Sequence, residues 1–232
     1  MADYRFYLDR VLTKKKAVDV FPTDGLISYW KFNSIDSGLI DEVGDLAGSI
    51  IGDVSLDDGL IENSYNFNGG YVRNVIDEPD KLSRANFFND EVSFSTWLKP
   101  NSLSTSYIIH SAEASNTGTR REHLISALII NEKFNINVFG NDSSAIPISV
   151  NEWTHFAMTA KENGDIKVYK NGELEFSGTT NTGISNARYF SIGARSNGPI
   201  LYTGNIDDTV MWNRLLTVEE IQTIYNLGAQ FL

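Results

Sequence analysis

The sequence predicts an all-β protein: a sandwich or barrel of many short strands, with one short C-terminal helix. Three observations carry that prediction. Apolar and polar residues alternate with a period of two in many short runs. Gly, Asn and Ser break those runs, as in sandwiches and barrels. A single helix signal stands near the C-terminal end. The 232 residues suit one large β domain, with core enough to fold without a disulfide or metal staple.

The strands follow in order from Gly25. Val92, Phe94, Thr96 and Leu98 alternate with Ser93, Ser95, Trp97 and Lys99, and Pro100 ends the run. Phe134, Ile136 and Val138 alternate with Asn135, Asn137 and Phe139. Ile166 and Val168 alternate with Lys167 and Tyr169. Asn171-Gly172 then supplies the two left-handed residues of a type I′ hairpin, and Leu174 and Phe176 resume the pattern. Residues 189–194 and 206–212 read as two further strands. In the latter, strict alternation puts Asp207 and Asp208 on opposite faces, so one of the two carboxylates is expected to be buried and to need a cation or several donors. Thr217-Val218-Glu219-Glu220 is a capping box with Thr217 as N-cap and Glu220 at N3. Val218, Ile221, Ile224 and Tyr225 follow at helical spacing, and Gly228 stops the helix.

Composition excludes several classes. There is no cysteine, hence no disulfide framework and no zinc–thiolate site. The formal net charge is -11, the wrong sign for a generic nucleic-acid binder. No run of about 18 apolar residues exists, so no membrane insertion is expected. The first ten residues carry two Asp and two Arg and lack the apolar stretch of a secretory signal.

Charge also divides the chain. Residues 1–23 hold Arg5, Arg10, Lys14, Lys15 and Lys16 against Asp3, Asp9 and Asp19, while the remainder is strongly acidic. We read 1–24 as an N-terminal arm or tether and 25–232 as the sandwich domain. Tyr4, Phe6 and Leu8 lie in an alternating segment suited to adding a strand to a partner's sheet edge. With the Lys14–Lys16 run they are the candidate docking residues. A solvated turn is the plainer reading of the lysines.

The order of motifs resembles the laminin-G-like, concanavalin-A-like jelly-roll family. GLISYWKF at 25–32 resembles its opening strand. LIDEVGDLAG at 39–48 is similar to its Asp-x-x-Gly-Asn turn, and ENSYNFNGGYV at 62–72 to its Phe-x-Gly-x-x-x-Tyr-Val stretch. VSFSTWLKP at 92–100, NEWTHFAMT at 151–159, IKVYKNGEL at 166–174, YFSIGAR at 189–195 and residues 204–226 complete the set. The resemblance spans 25–226 and implies an all-β fold, a two-sheet antiparallel jelly-roll sandwich with the short C-terminal helix docked at its edge. It implies core or half-core roles for Trp30, Phe94, Trp97 and Trp153, and a hydrogen-bonded packing role for His155. It also implies a structural Ca²⁺ at the sandwich edge. Asp41 and Asp207 match the family's carboxylates and Asp45 stands where the family often has Asn, whereas Asn33 stands where it often has Asp. Calcium needs six to eight oxygens. The plainer alternative is that Asp41 caps its turn and Asp207 accepts backbone N–H groups.

The same fold hosts glycoside hydrolases, which need paired carboxylates about 5–10 Å apart. The Glu-x-Asp-x-Glu string of the concanavalin-A-like glucanases is missing. His110, His123 and His155 form no metal pattern, and no nucleophile elbow or phosphate loop is present. The expectation is therefore a non-catalytic recognition or structural module. Its preferred reading is a surface or decoration protein of a larger assembly such as a bacteriophage virion, docked on other proteins through residues 1–23 and able to bind cell-surface glycans. A bacterial carbohydrate-binding adhesion module is the first alternative and a glycoside hydrolase the second. The virion surface, or failing that the cell surface or extracellular space, is the corresponding location. Candidate ligand contacts lie in two polar loops: Arg120, Arg121 and His123, preceded by Tyr107; and Arg195, Asn197 and Tyr202. An ordinary solvated loop is the plainer reading of each.

Overall fold

A computed structural model describes residues 21–44, 46–75, 90–112, 125–138, 141–181, 189–195 and 200–232. In chain order the strands are β1 (Leu26–Trp30), β2 (Ser49–Ile51), β3 (Val54–Asp58), β4 (Asn63–Asn68), β5 (Tyr71–Val75), β6 (Glu91–Pro100), β7 (Ser106–Ala112) and β8 (Ile125–Ile130). There follow β9 (Lys133–Val138), β10 (Asn141–Pro147), β11 (Thr154–Lys161), β12 (Asp165–Lys170), β13 (Glu173–Thr179), β14 (Tyr189–Ile192) and β15 (Thr203–Trp212). One helix, α1 (Val218–Ala229), closes the chain.

The strands form two antiparallel sheets. One runs β13-β12-β11-β6-β15-β4-β3, with β1 also paired to β15; the other runs β10-β9-β8-β7-β14-β5-β2. The alternation read from sequence sets their facing sides. Phe94, Leu98, Phe156, Met158, Ile166 and Val168 of the first sheet meet Ile109, Ala127, Phe134, Ile136 and Ile192 of the second in one core. Phe134 stacks on Phe156 across the two layers, ring centroids 3.7 Å apart. The Asn171-Gly172 turn has φ of 52° and 78°, as a type I′ hairpin requires. Asn131 and Glu132, between β8 and β9, make the same kind of turn at φ 51° and 61°, although Glu gives no sequence signal for it.

Strand β15 departs from simple alternation. Its first half pairs with β4 and its second half with β1, at Tyr65↔Ile206 and Trp30↔Thr209. Between them its register on β6 shifts, from Asp207↔Trp97 to Val210↔Ser95. The bulge is marked by Asp208 at φ 40°. A bulge adds a residue on one strand and re-aims its neighbours. Both carboxylates are consequently buried, Asp207 completely and Asp208 to 6% exposure, where alternation predicts one. Asp207 fills the gap left between the two partner strands: its carboxylate accepts the amides of Leu60 (2.9 Å) and of Asp208 (2.9 Å). Asp208 accepts the Tyr29 hydroxyl at 2.7 Å.

The outer face of the β6/β15 sheet carries its own apolar layer. Tyr29, Ala157, Tyr169, Val210 and Trp212 pack against Phe21, Leu216, Ile221 and Ile224. Helix α1 supplies two of these, and its capping box forms as expected from Thr217 and Glu220. Arg214 adds a forked pair to Glu220 at 2.6 and 2.8 Å. Trp97 lies under the helix, stacked on Tyr225 with centroids 5.8 Å apart, and Gly228 sits so close that a Cβ there would fall 2.5 Å from Trp97 Cζ2. His155 packs against Trp97 and Tyr225 and shares a 2.8 Å hydrogen bond with Ser95.

The last residues of the arm join this layer. The Phe21 ring meets Tyr29 edge-on at 5.0 Å, the Trp212 indole N–H donates to the Pro22 carbonyl at 2.7 Å, and Arg214 Nε donates to the Asp24 carbonyl at 2.8 Å. The chain therefore enters the sandwich on its helix-bearing face.

Candidate functional site

The outer face of the β7/β14 sheet is built differently. In each strand, the residues between core positions point away from the sandwich. Ser191 lies between Phe190 and Ile192, Ser126 between Ile125 and Ala127, and Asn137 between Ile136 and Val138. Strand register lines these positions up in one row that crosses every strand: Ser49, Arg73, Ser191, His110, Ser126, Asn137 and Asp142. All seven are polar or ionisable.

The row is closed at its centre and open at its flanks. Ser191, His110 and Ser126 are buried, whereas Arg73 is half-buried. A cleft of about 360 Å³ opens beside Ser49, Arg73 and Asn74. At β7, a register shift between Tyr107 and Ile109 sends Ile108 and Ile109 into the core and leaves Tyr107 on the same outer side as His110. The two rings meet edge-on, centroids 5.0 Å apart. Arg195, just after β14, lays its guanidinium over the Tyr107 ring at 5.8 Å, within cation–π reach. Tyr107 and Arg195 are both half-buried. Buried polar atoms normally have partners, yet the Ser126 hydroxyl and the Arg195 Nε have none.

The structure thus brings together two of the candidate ligand residues, Tyr107 and Arg195, from segments 88 positions apart. It removes a third. Tyr202 is fully buried, edge-on to Phe67 and donating to the Asn205 carbonyl at 3.1 Å. It is a core residue, next to Leu201, which bridges Ala194. Arg120, Arg121, His123 and Asn197 lie outside the described residues, as do the docking candidates Tyr4, Phe6, Leu8, Lys14, Lys15 and Lys16.

The carboxylates proposed for calcium are turned onto amides. Asp41 Oδ1 accepts from Tyr29 N (3.0 Å), Val43 N (3.2 Å) and Gly44 N (2.9 Å), and its Oδ2 accepts from Leu46 N (3.2 Å). Asp207 is held by backbone N–H groups of its own corner in the same way. Asn33, standing where the family often has Asp, ties Glu62 and Asn63 instead. N–H groups suit an anion, so these side chains do not fit a Ca²⁺, which needs free oxygens. Among the described residues no group of three or more His, Asp or Glu could hold a metal ion; Asp45 lies outside them.

Burial perturbs Asp207, Asp208 and His155, among other groups, on the helix-bearing side. It pushes the Asp207 carboxyl well above the usual range, with the Asp208 charge adding to the effect. It pushes Asp208 up to about 7 against the opposing pull of the Tyr29 hydroxyl. It depresses His155 to about 3. None of the three borders the Ser49–Asp142 row.

Residues 77–222 match the laminin-G family described as the concanavalin A-like lectin/glucanases superfamily. No curated protein matches the chain in sequence. Among solved structures, it resembles domain 4 of a GH43 extracellular arabinanase from Geobacillus stearothermophilus, in complex with arabinotriose. Identity is 24% and TM-score 0.61, over 86% of this chain and 98% of that domain. It also resembles the sialidase of Trypanosoma rangeli (16% identity, TM-score 0.70, 98% of this chain and 39% of that one). A third likeness is to botulinum neurotoxin type C, whose cell entry depends on two ganglioside molecules (17% identity, TM-score 0.65, 88% of this chain and 51% of that one). The chain thus spans nearly all of the arabinanase domain but only about two fifths to one half of the other two.

Proposed function

We propose a function from one premise: this chain belongs to the concanavalin A-like lectin/glucanases superfamily. It acts as a glycan-recognition module without chemistry of its own, and its ligand lies on the outer face of the β7/β14 sheet. The observation that carries this reading is the polar row with Tyr107 and Arg195 at its side. Sugars offer hydroxyls to planar polar groups and C–H faces to aromatic rings, and the half-buried Arg195 and Tyr107 at the side of the row supply both. The arabinotriose-bound arabinanase domain and the ganglioside-dependent neurotoxin support the class of ligand.

Placement among the described residues supports the reading without catalysis. In most glycoside hydrolase families the reaction uses two accessible carboxylates. The adjacent pair that the fold creates, Asp207 and Asp208, is buried on the opposite sheet, beneath Leu60 and Tyr29.

A glycan array probed with the full chain tests the reading. Retention of one glycan class is expected, with a loss of tenfold or more for Tyr107→Ala. If no glycan is held, or if Tyr107→Ala binds as well as the parent, the reading fails.

One observation favours a second, compatible role. Phe21, Pro22 and Asp24 are clamped on the helix-bearing face, so the preceding residues leave from a fixed point away from the polar row. That geometry suits a surface or decoration protein of an assembly, such as a bacteriophage virion, docked by its arm. A chain lacking residues 1–20 should keep its fold and lose its place on the particle. Undiminished co-sedimentation of the truncated chain with the particles would end this role.

A further inference from the structure

We propose that the sugar taken by the β7/β14 face carries a carboxylate, and that Arg195 receives it. This inference rests on the glycan reading above and narrows it from glycans in general to uronic or sialic acid sugars.

Arg195 is the starting point. Arginine is charged at any physiological pH, and a half-buried guanidinium normally finds a carboxylate or several carbonyls. Among the described residues no carboxylate pairs with it: the ion pairs formed by other cations, Lys31–Glu42, Lys161–Glu91 and Arg214–Glu220, leave it aside. Its Nε is buried and makes no hydrogen bond among the described residues. Its guanidinium lies over the Tyr107 ring. In a chain of net charge -11 carboxylates are plentiful, so an arginine that meets none among the described residues stands out.

The arrangement is that of a receptor. The Tyr107 ring fixes one side of the guanidinium plane, and His110 braces the ring edge-on from beneath. A planar guanidinium held this way keeps its N–H fork for a planar acceptor, and a carboxylate matches that fork with two parallel hydrogen bonds. A second cation shares the face. Arg73 lies in the same cross-strand row as His110, two strands away, or about 10 Å at ordinary strand spacing. It borders the cleft at Ser49 and Asn74. Ser191 and His110, between the two arginines, are buried, so Arg195 and Arg73 mark two separate open flanks of the row, and the carboxylate is assigned to Arg195 alone. The acidic remainder of the protein opposes anions generally, so the attraction is local and is not a basic patch of the nucleic-acid kind.

The experiment uses the full chain and isothermal titration against paired probes: 3′-sialyllactose with its methyl ester, and a galacturonate oligomer with its methyl ester. Lactose 3′-sulfate serves as an acid without a carboxylate. The acids are expected to bind at least tenfold more tightly than their esters. They should weaken as salt rises from about 0.05 to 0.5 M, since exposed charges are screened. The sulfate is expected to bind less well than the carboxylates. Arg195→Gln should remove the acid preference, and Arg195→Lys should restore only part of it, because an ammonium lacks the fork. The ester comparison needs no variant and stands even if Arg195→Gln destabilises the fold. If acids and esters bind alike and Tyr107→Ala abolishes both, the glycan reading survives and the carboxylate proposal falls. An acid preference untouched by both Arg195 variants also overturns the role of Arg195. If none of the probes binds and no glycan is held on an array, both readings fall together.

Discussion

The two outer faces of this sandwich start from the same alternating strand pattern and end in opposite states. On the β6/β15 side the outward residues are large and apolar. The protein covers them itself, with α1 and with Phe21 from the arm. On the β7/β14 side the outward residues are Ser, Asn, His and Arg, and no described element of the chain forms an apolar layer over them. The contrast teaches where stability and recognition divide. A face closed by its own helix supplies folding energy. A face that spends its outward positions on polar groups gives up such energy: Ser191, His110 and Ser126 are buried there, and only the flanks at Arg73, Tyr107 and Arg195 are partly open to solvent.

Substitutions on the two faces should therefore differ in size, and the largest test lies under the helix. Trp212 is fully buried and holds Pro22. Trp212→Ala should lower the unfolding free energy by about 3–5 kcal/mol, measured by urea denaturation. A loss below about 1 kcal/mol would show that the helix-bearing layer is not a second core. Gly228→Ala should cost about 1–3 kcal/mol, because the new methyl meets the Trp97 indole. Its near-ultraviolet circular dichroism should change with it. An unchanged spectrum and midpoint would mean that α1 does not rest on Trp97.

The pH dependence sharpens the comparison, since the perturbed groups sit on the covered side. Asp208 is raised in the folded state, so the folded chain holds its proton longer than the unfolded one. Stability from this group is greatest below about pH 4 and falls as pH rises toward about 7. Asp207 acts in the same direction. His155 is depressed, so the unfolded chain binds its proton first. Stability from this group is full above about pH 6.5 and falls as pH drops toward about 3. The opposed slopes overlap. Asp208→Asn should unmask a loss of stability on acidification, and His155→Gln should unmask a loss on the alkaline side. Parallel pH profiles for the two variants would refute the assignment. The smallest effect belongs to the polar row. Ser126 buries a hydroxyl without a partner, so Ser126→Ala should change stability by no more than about 0.5 kcal/mol, or raise it. A loss above 1 kcal/mol would reveal a bond that the hydroxyl does make.

Much of the fold was legible because strand patterns and capping are local. The Asn171-Gly172 turn and the Thr217–Glu220 box carry their geometry in two to four residues, and both form where the sequence puts them. The bulge in β15 was not legible. It arises because β15 changes partners from β4 to β1, a tertiary fact with no local signature, and it overturns the alternation argument for Asp207 and Asp208. The candidate site shows the same limit. Each polar residue of the row is visible between two apolar ones, as Ser126 is between Ile125 and Ala127, but only register aligns it with Arg73 and His110. Tyr107 and Arg195 could be singled out as a tyrosine and an arginine near polar loops; their contact depends on β14 lying beside β7. Tyr202 failed because a buried tyrosine and a ligand-facing one look alike in a short Gly-rich stretch.

The clamp at Phe21 and Pro22 has a consequence for how copies of this module behave together. Because the chain enters on one outer face and the polar row occupies the other, molecules tethered through their first residues to a common support would all turn that row outward. Many weak contacts could then engage one multivalent surface at once. The strength of attachment would be set by spacing and tether length as much as by the affinity of any single copy.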